Sequence, residues 1–198
     1  DRSSVLDNPD LRGRPFVDAY TRLVDTWIVE LYDELFGERS GVALVATGGH
    51  GRGELAPQSD LDLLLLHDGS IDLGTAQRLW YPMWDAKLKV GHSVRTVAET
   101  LALASDDLPT ATSLLSVRRL AGDASLATDL AVDSAAQWRK QSKRVLASLM
   151  ETVTSRHETT GEVAAALAPD LRSAVYQTVL ANDASSFDAL MKLYAKTT

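Results

Sequence analysis

The sequence lacks cysteine altogether and is short of positive charge. It has 20 lysines and arginines against 27 aspartates and glutamates in 198 residues, a formal net charge of −7. Without cysteine the chain can form no disulfide, thiolate metal site or cysteine nucleophile, which fits a reducing cytoplasm. A nucleic-acid-binding domain normally presents a basic surface, and this composition does not favour one. We therefore expect a cytoplasmic protein that does not act on nucleic acid.

Long apolar runs are also missing. No stretch approaches the 18 apolar residues of a membrane helix, and the first residues show no charged-then-apolar signal pattern. We therefore expect no membrane association. The 45% hydrophobic and 24% charged content is ordinary for a globular protein, and the length suits one large domain or two small ones.

One stretch, residues 42–67, combines features that point to chemistry. It reads VALVATGGHGRGELAPQSDLDLLLLH. Two apolar, strand-like runs enclose a glycine-rich turn that begins with Gly48 and Gly49, and the second run opens with Asp60 and Asp62. Residues two apart in a strand point to the same face and lie roughly 6.6 Å apart along the chain. The two carboxylates are therefore predicted to project together.

Paired carboxylates beside a glycine turn favour a metal-dependent nucleotide site. Oxygen ligands suit Mg²⁺ or Mn²⁺, and Gly48 and Gly49 would expose backbone N–H groups to phosphate oxygens. The purely structural alternatives are a capping aspartate followed by a solvent-facing one, and a simple tight turn. At 4 Å each like-charge contact with a triphosphate costs roughly 4 kcal/mol at an effective dielectric of 20, so a cation is needed.

This arrangement resembles the nucleotidyltransferase superfamily typified by DNA polymerase β. More narrowly, it is similar to the catalytic domain of the bifunctional PII uridylyltransferase/uridylyl-removing enzymes. Four segments carry the resemblance in order: GGHGRGELAPQSDLDLLLL, LKVGHSVRT (88–96), TSLLSVRRLAGD (112–123) and RHETTGEVAAALAPDL (156–171). The family is much longer and continues into HD and ACT domains, so we interpret the chain as a catalytic fragment. After Ser173 the family pattern is not followed.

The resemblance implies transfer of UMP, or alternatively AMP, from UTP or ATP to a tyrosine of a PII signalling protein. Asp60 and Asp62 would be the catalytic metal ligands, and Gly48 and Gly49 would position the triphosphate. Two alternatives remain open. One is a small-molecule nucleotidyltransferase of the aminoglycoside-modifying type, and the other is a regulatory nucleotide-binding module without turnover.

Several further residues are candidates for the nucleotide site. Arg52 could reach a phosphate or pair with Glu54 or Asp60, and Ser59 could donate to a phosphate or simply cap a turn. Arg95 is a candidate nucleotide contact on the third predicted strand.

The same strand raises the question of a third metal ligand. In the wider superfamily a third carboxylate lies on this strand, and here Ser93 occupies its place. Glu54 is the candidate general base, or alternatively an acid bonded to Arg52. His50 and His92 are interpreted as structural, and Gly51 and Gly53 as giving the loop backbone freedom.

The predicted fold class is α/β (α+β): a polymerase-β-like domain with a small mixed sheet flanked by helices, then a helical domain. The predicted domains are a lead-in at 1–16, the nucleotidyltransferase domain at 17–123 and the helical domain at 124–198. Strands are predicted at 42–46, 61–66 and 92–96. Helices are predicted at 17–36, 71–89, 97–105, 109–121, 123–131, 134–158, 161–180 and 186–196. Arg139, Lys140, Lys143 and Arg144 predict a basic helix face, interpreted as solvated or as a docking surface.

Overall fold

The structure, a computed structural model, describes residues 3–160. Within them a four-stranded mixed sheet is flanked by helices, which confirms the predicted fold class. The strands are β1 (Val42–Ala46), β2 (Leu61–His67), β3 (Val90–Arg95) and β4 (Arg118–Gly122), and their order across the sheet is β3-β2-β1-β4. β1 is antiparallel to both β2 and β4, whereas β2 and β3 are parallel. The helices of the described residues are α1 (Ser3–Leu6), α2 (Arg14–Phe36), α3 (Gly48–Gly51), α4 (Leu73–Arg78), α5 (Tyr81–Asp85), α6 (Val97–Asp106), α7 (Leu108–Ser113), α8 (Ala124–Lys140) and α9 (Ser142–Thr160), with a 3₁₀ turn at Leu114–Ser116.

The core of the sheet forms where α2 packs on β1 and β2. Apolar side chains at three- and four-residue spacing give α2 a buried stripe. Pro15 lies in its first turn, and the helix ends at Gly37, which has φ +56°. Every residue of β1 is buried, as expected for a central strand. The core cluster includes Ile28, Tyr32, Leu44, Leu63, Leu65, Leu79, Trp80 and Met83.

Four of the predicted helices are wrong in part. The helix predicted at 71–89 is two short helices, α4 and α5, because Pro82 lacks the N–H that would continue the first one. The helix predicted at 109–121 ends early, and its last residues form β4 instead. Pairing with β1, whose register shifts between Leu44 and Val45, makes this short polar segment a strand. In the helical part, the predicted break at 131–134 lies at Gln141.

The chain divides into two compact units. The first contains the chain up to Thr100 together with Ser116–Leu130, and includes the whole sheet. The second contains Leu101–Leu115 and the described residues from Ala131 to Thr160, with an apolar cluster around Trp138. The predicted boundary at residue 123 stays a prediction, and the helices predicted at 161–180 and 186–196 lie outside the described residues. None of the helices described is long and apolar enough to cross a membrane.

The prediction of one basic helix face is wrong, because the break at Gln141 puts Arg139 and Lys140 at the end of α8 and Lys143 and Arg144 at the start of α9. All four residues lie in the second unit. Arg144 approaches Asp106 at 3.5 Å and also donates to Gln141 at 2.8 Å. These partners come from the same unit, which favours the interpretation as a solvated surface. Of the four tryptophans, Trp80 and Trp138 are buried, whereas Trp84 is 42% exposed.

Asp123 lies between β4 and α8 in the chain, and its side chain accepts hydrogen bonds that make stability sensitive to acid. Its carboxylate accepts from the N–H groups of Gly41 and Ser125, at 2.9 Å each, and from the Ser125 hydroxyl. These bonds lower the pKa of Asp123 from 3.8 to about 2. Since the folded-state pKa is the lower one, the stabilisation is present above pH 3.8 and lost as pH falls towards 2.

We expect Asp123→Asn to lower the melting temperature by about 2 °C at pH 7, with a smaller difference as pH falls from 5 towards 2. Asparagine can still cap the turn but carries no charge to lose. Thermal unfolding followed by circular dichroism gives the melting temperatures of the variant and of the unaltered protein at each pH. Asp129→Asn, on the exposed side of α8, is the control. A difference that stays constant with pH would contradict the expectation.

Candidate active site

The glycine-rich segment follows β1 directly and forms the one-turn helix α3. The N–H of Thr47 donates to the carbonyl of Asp62 at 3.0 Å, so the start of the turn is bonded to the strand that carries the acids. Backbone bonds from Gly51 to Thr47 and from Glu54 to Gly49 close the turn. The first N–H groups of any helical turn have no partner within it, and they can therefore meet an anion.

The reason why glycine occupies a position differs from one glycine of this segment to the next. Gly48 and Gly53 have φ of +56° and +69°, which side-chain-bearing residues rarely adopt. At Gly51 an added Cβ would lie 1.7 Å from the carbonyl oxygen of Ser116, so close packing, and not the predicted backbone freedom, requires glycine there. At Gly49 a Cβ would meet only the end of Arg52, at 3.7 Å. Packing therefore does not explain Gly49, and approach by a ligand would.

Asp60 and Asp62 lie together at the start of β2, as their spacing predicts. Asp60 is exposed and Asp62 is partly buried. Across the parallel pair Asp62 faces Gly91, where an added Cβ would lie 3.1 Å from the Asp62 Oδ1 atom. The absence of a side chain at Gly91 leaves space beside that carboxylate.

The electrostatics of this pair suit a cation. Burial raises the pKa of Asp62 and the charge of Asp60 raises it further, while His50 and Arg52 oppose them in part. Neither carboxylate accepts a hydrogen bond from any residue that the structure describes. The described residues contain no group of three or more potential metal ligands. Two carboxylates completed by substrate phosphates and water are a common Mg²⁺ environment, so this donor set fits the predicted ion.

The structure places Arg52, Glu54 and Ser59 around the same segment. Arg52 Nε donates to Glu54 at 2.8 Å, so the ion pair that the sequence left open is formed, and the end of Arg52 lies beside Gly49. Ser59 accepts from the N–H of Ala56 at 3.0 Å, which is the capping alternative. Phosphate contacts by Arg52 and Ser59, and the role of Glu54 as base, stay predictions.

On β3 the side chains divide between the two faces of the sheet. Ser93 pairs with Leu64 and Arg95 with Leu66, so both share the face of Asp62. Arg95 lies four residues further along the strand than Gly91, roughly 13 Å. It is therefore remote from the carboxylates along the sheet, and its nucleotide contact stays a prediction. His92 faces the other way, with its ring 4.9 Å from that of Trp80.

Three residues that sequence reasoning did not assign to the site hold the glycine segment in place. Thr21 and Asp25 lie one turn apart on α2, and Arg118 lies on β4. Thr21 Oγ1 donates to the carbonyl of Gly53 and accepts from the N–H of Leu55, both at 3.2 Å. The signal in the sequence was a polar pair within an otherwise apolar helical stripe, since a charge at such a position needs a partner.

Comparison with known proteins shows which families and proteins the chain is similar to. Residues 27–101 match the Nucleotidyltransferase domain family. The chain is 44% identical over 176 residues to the bifunctional uridylyltransferase/uridylyl-removing enzyme of Streptomyces coelicolor, covering 87% of this chain and 21% of that protein. It is 42% identical over 154 residues to the enzyme of the same name from Mycobacterium tuberculosis H37Rv, covering 76% and 19%. The chain thus spans about a fifth of the length of these relatives.

Among solved structures, a crystal structure of a toxin-antitoxin with AMP-PNP aligns with a TM-score of 0.42 at 15% identity, covering 66% of this chain and 98% of that one. A likeness at this level carries no information about what the chain binds. The family match and the sequence identities confirm the resemblance that the four motif segments predict. The chain carries a nucleotidyltransferase domain at residues 27–101 and is similar over most of its length to the N-terminal fifth of bifunctional uridylyltransferase/uridylyl-removing enzymes.

Proposed function

We propose that this chain transfers a nucleoside monophosphate from a nucleoside triphosphate to a tyrosine hydroxyl of a PII nitrogen-regulatory protein, releasing pyrophosphate. The observation that carries the proposal is the pair of carboxylates, Asp60 and Asp62, beside a glycine turn in which Gly49 has no packing reason to be glycine. The names of the similar proteins support UMP as the transferred group. The PII acceptor is implied by the sequence resemblance.

In the proposed reaction the tyrosine oxygen attacks the α-phosphorus of the triphosphate. The new bond joins that oxygen to phosphorus, the bond to the bridging oxygen of the β-phosphate breaks, and pyrophosphate leaves. The phenolic proton passes to a base or to water, and Glu54 is the candidate base. Catalysis of this kind depends mainly on positioning and on stabilising the charge that develops in the transition state.

The residues of the site have distinct roles in this proposal. Asp60 and Asp62 would hold Mg²⁺ or Mn²⁺, which supplies charge neutralisation at the α-phosphate when bound. Gly48 and Gly49 would bring backbone N–H groups to the triphosphate. Arg52 and Ser59 would contact phosphate, and Arg95 would contact a more distant part of the nucleotide.

A binding module without turnover is the second candidate. The described residues offer two carboxylates and no third acid at the position of Ser93, and a third carboxylate usually helps to activate the nucleophile. Such a module would bind the triphosphate in a Mg²⁺-dependent manner without releasing pyrophosphate.

The test is transfer of label. The chain is incubated with Mg²⁺, a PII protein and α-labelled UTP or α-labelled ATP, beside an Asp60→Asn/Asp62→Asn variant. We expect label on PII from UTP, lost in the variant and lost when the acceptor tyrosine is replaced by phenylalanine. Label from ATP alone would mean that the transferred group is AMP and not UMP. Mg²⁺-dependent binding with no label from either nucleotide would favour the binding module.

A further inference from the structure

Behind the glycine segment, three charged or polar side chains form a cluster that the proposed reaction does not use. Asp25 comes from α2, His50 from the segment itself and Arg118 from β4. We name this cluster the loop clamp. Arg118 belongs to the family-like segment TSLLSVRRLAGD, in which the motif by itself gives it no role. Asp25 and Arg118 are 93 residues apart in the chain and meet only in the fold.

Arg118 connects the carboxylate of Asp25 to the backbone of the glycine segment. Its NH1 and NH2 atoms donate to the two oxygens of Asp25 at 2.7 and 3.3 Å. NH2 also donates to the carbonyl of His50 at 2.9 Å, and Nε donates to the carbonyl of Gly51 at 3.2 Å. Only a guanidinium can serve four acceptors in this fork, since a lysine ammonium has three donors on one atom.

His50 ties the same carboxylate to the segment from within. The side chain is completely buried, and Nε2 lies 2.8 Å from Asp25 Oδ1. Because a carboxylate only accepts, Nε2 carries the hydrogen. Burial alone would raise the pKa of Asp25, but the hydrogen bonds from His50 and Arg118 outweigh it and the pKa is lowered. Asp25 is therefore a charged anchor for both Arg118 and the loop.

The glycine segment needs such an anchor because it has little rigidity of its own. Four of the six residues from Gly48 to Gly53 are glycine, the residue that loses most backbone freedom on ordering. A loop that is ordered only when nucleotide arrives would bind it more weakly, because part of the binding free energy would be used for ordering.

We infer that Asp25 and Arg118 are positioning residues that hold the glycine segment in its nucleotide-binding conformation before the triphosphate arrives. They touch neither substrate nor reacting atoms and act through the carbonyls of His50 and Gly51. The inference rests on the proposed function for the identity of the ligand. The loop order itself is a property of the free protein and can be measured without turnover.

Arg118→Lys keeps the charge and removes the fork, and Asp25→Asn keeps the shape and removes the anchor charge. For each variant we expect the Kd for Mg²⁺-UTP, and the KM in the labelling assay, to rise about 10-fold. A rise of this size corresponds to the loss of one charge-assisted hydrogen bond. We expect kcat to stay within about 3-fold, since the loop is ordered again once nucleotide is bound. The double variant should be less than additive, because both changes open one clamp.

Hydrogen exchange of the free 198-residue chain gives a readout that does not depend on activity. Amides from Gly48 to Leu55 should exchange about 10-fold faster in both variants, with those of β1 and β2 unchanged. Arg119→Lys is the matched control. Arg119 neighbours Arg118 on β4, is exposed, and donates to the carbonyl of Gly122 and not to the glycine segment.

The outcomes separate the inference from the proposed function. If the unaltered chain transferred no label, the proposed function would be overturned. The nucleotide Kd and the rates of amide hydrogen exchange would still decide the role of the loop clamp. The inference would be overturned if the nucleotide Kd and the amide exchange rates of Arg118→Lys and Asp25→Asn equalled those of Arg119→Lys. A fall in kcat with unchanged KM, or unfolding of both variants, would also overturn it, because the role would then be chemical or merely structural.

Discussion

Asp62→Asn is expected to lower the nucleotidyl-transfer rate by about 1000-fold, while the metal-free protein becomes more stable. The two effects have one cause. The carboxylate of Asp62 is partly buried beside the charge of Asp60, and the described residues give it no hydrogen-bond donor. An uncharged amide would relieve that repulsion in the metal-free protein, but it would remove a proposed ligand of the cation in the metal-bound protein.

Two measurements check this expectation. Initial rates of label transfer give the activity, and urea unfolding with and without Mg²⁺ and nucleotide gives the stability. We expect the variant to gain stability only in the metal-free protein, because added Mg²⁺-UTP stabilises the form with both carboxylates. Asp68→Asn is the control, since Asp68 comes directly after the far end of β2, away from the acid pair, and bonds to Ser70. A loss of both activity and metal-free stability would indicate a structural role for Asp62.

Gly51→Ala is expected to lower the free energy of unfolding by about 3 kcal/mol and to abolish activity. Two effects oppose each other here. Alanine is favoured over glycine in a helix by roughly 1 kcal/mol. The new Cβ, however, would lie 1.7 Å from the carbonyl oxygen of Ser116 and 3.0 Å from that of Ala46. Backbone must move to accommodate it, and because both carbonyls belong to the packed part of the chain around the sheet, the steric term dominates.

Gly49→Ala is the matched control for this prediction. It lies in the same turn, but its Cβ would meet only the guanidinium end of Arg52, at 3.7 Å. We expect its free energy of unfolding to lie within about 0.5 kcal/mol of that of the unaltered protein. If it also binds nucleotide more weakly, the lost affinity reports the space that a phosphate needs, because stability is unchanged. Equal stability of the Gly51 and Gly49 variants, measured by urea unfolding, would contradict the expected close contact.

The lower stability of a Gly51 variant would also bear on the loop clamp. The carbonyl of Gly51 accepts from Arg118, so displacement of the backbone there would disturb the bond that joins the segment to Asp25. The prediction for Gly51 therefore concerns folding, whereas the predictions for Asp25 and Arg118 concern order within an intact fold. The hydrogen-exchange pattern distinguishes them, since only the first should extend into β1.

The local sequence pattern was sufficient to predict those elements whose structure depends mainly on neighbouring residues in the chain. The predicted strand at 42–46 matches β1 residue for residue, and the helix at 17–36 matches α2 apart from its first turn. The period of buried side chains is a property of consecutive residues, which is why these elements were readable. The projection of Asp60 and Asp62 from one strand was readable for the same reason. Their role as metal ligands stays a prediction.

Contacts between distant segments decided the rest. β4 is short and polar and becomes a strand because β1 offers it an edge, which no periodicity within Arg118–Gly122 records. The need for glycine at position 51 comes from Ser116, 65 residues later. The sequence by itself determined the sheet core, the acid pair and the family. Only the tertiary structure brought Asp25 to Arg118, because a charge pair between a helix and a strand depends on how the two pack and not on any local spacing.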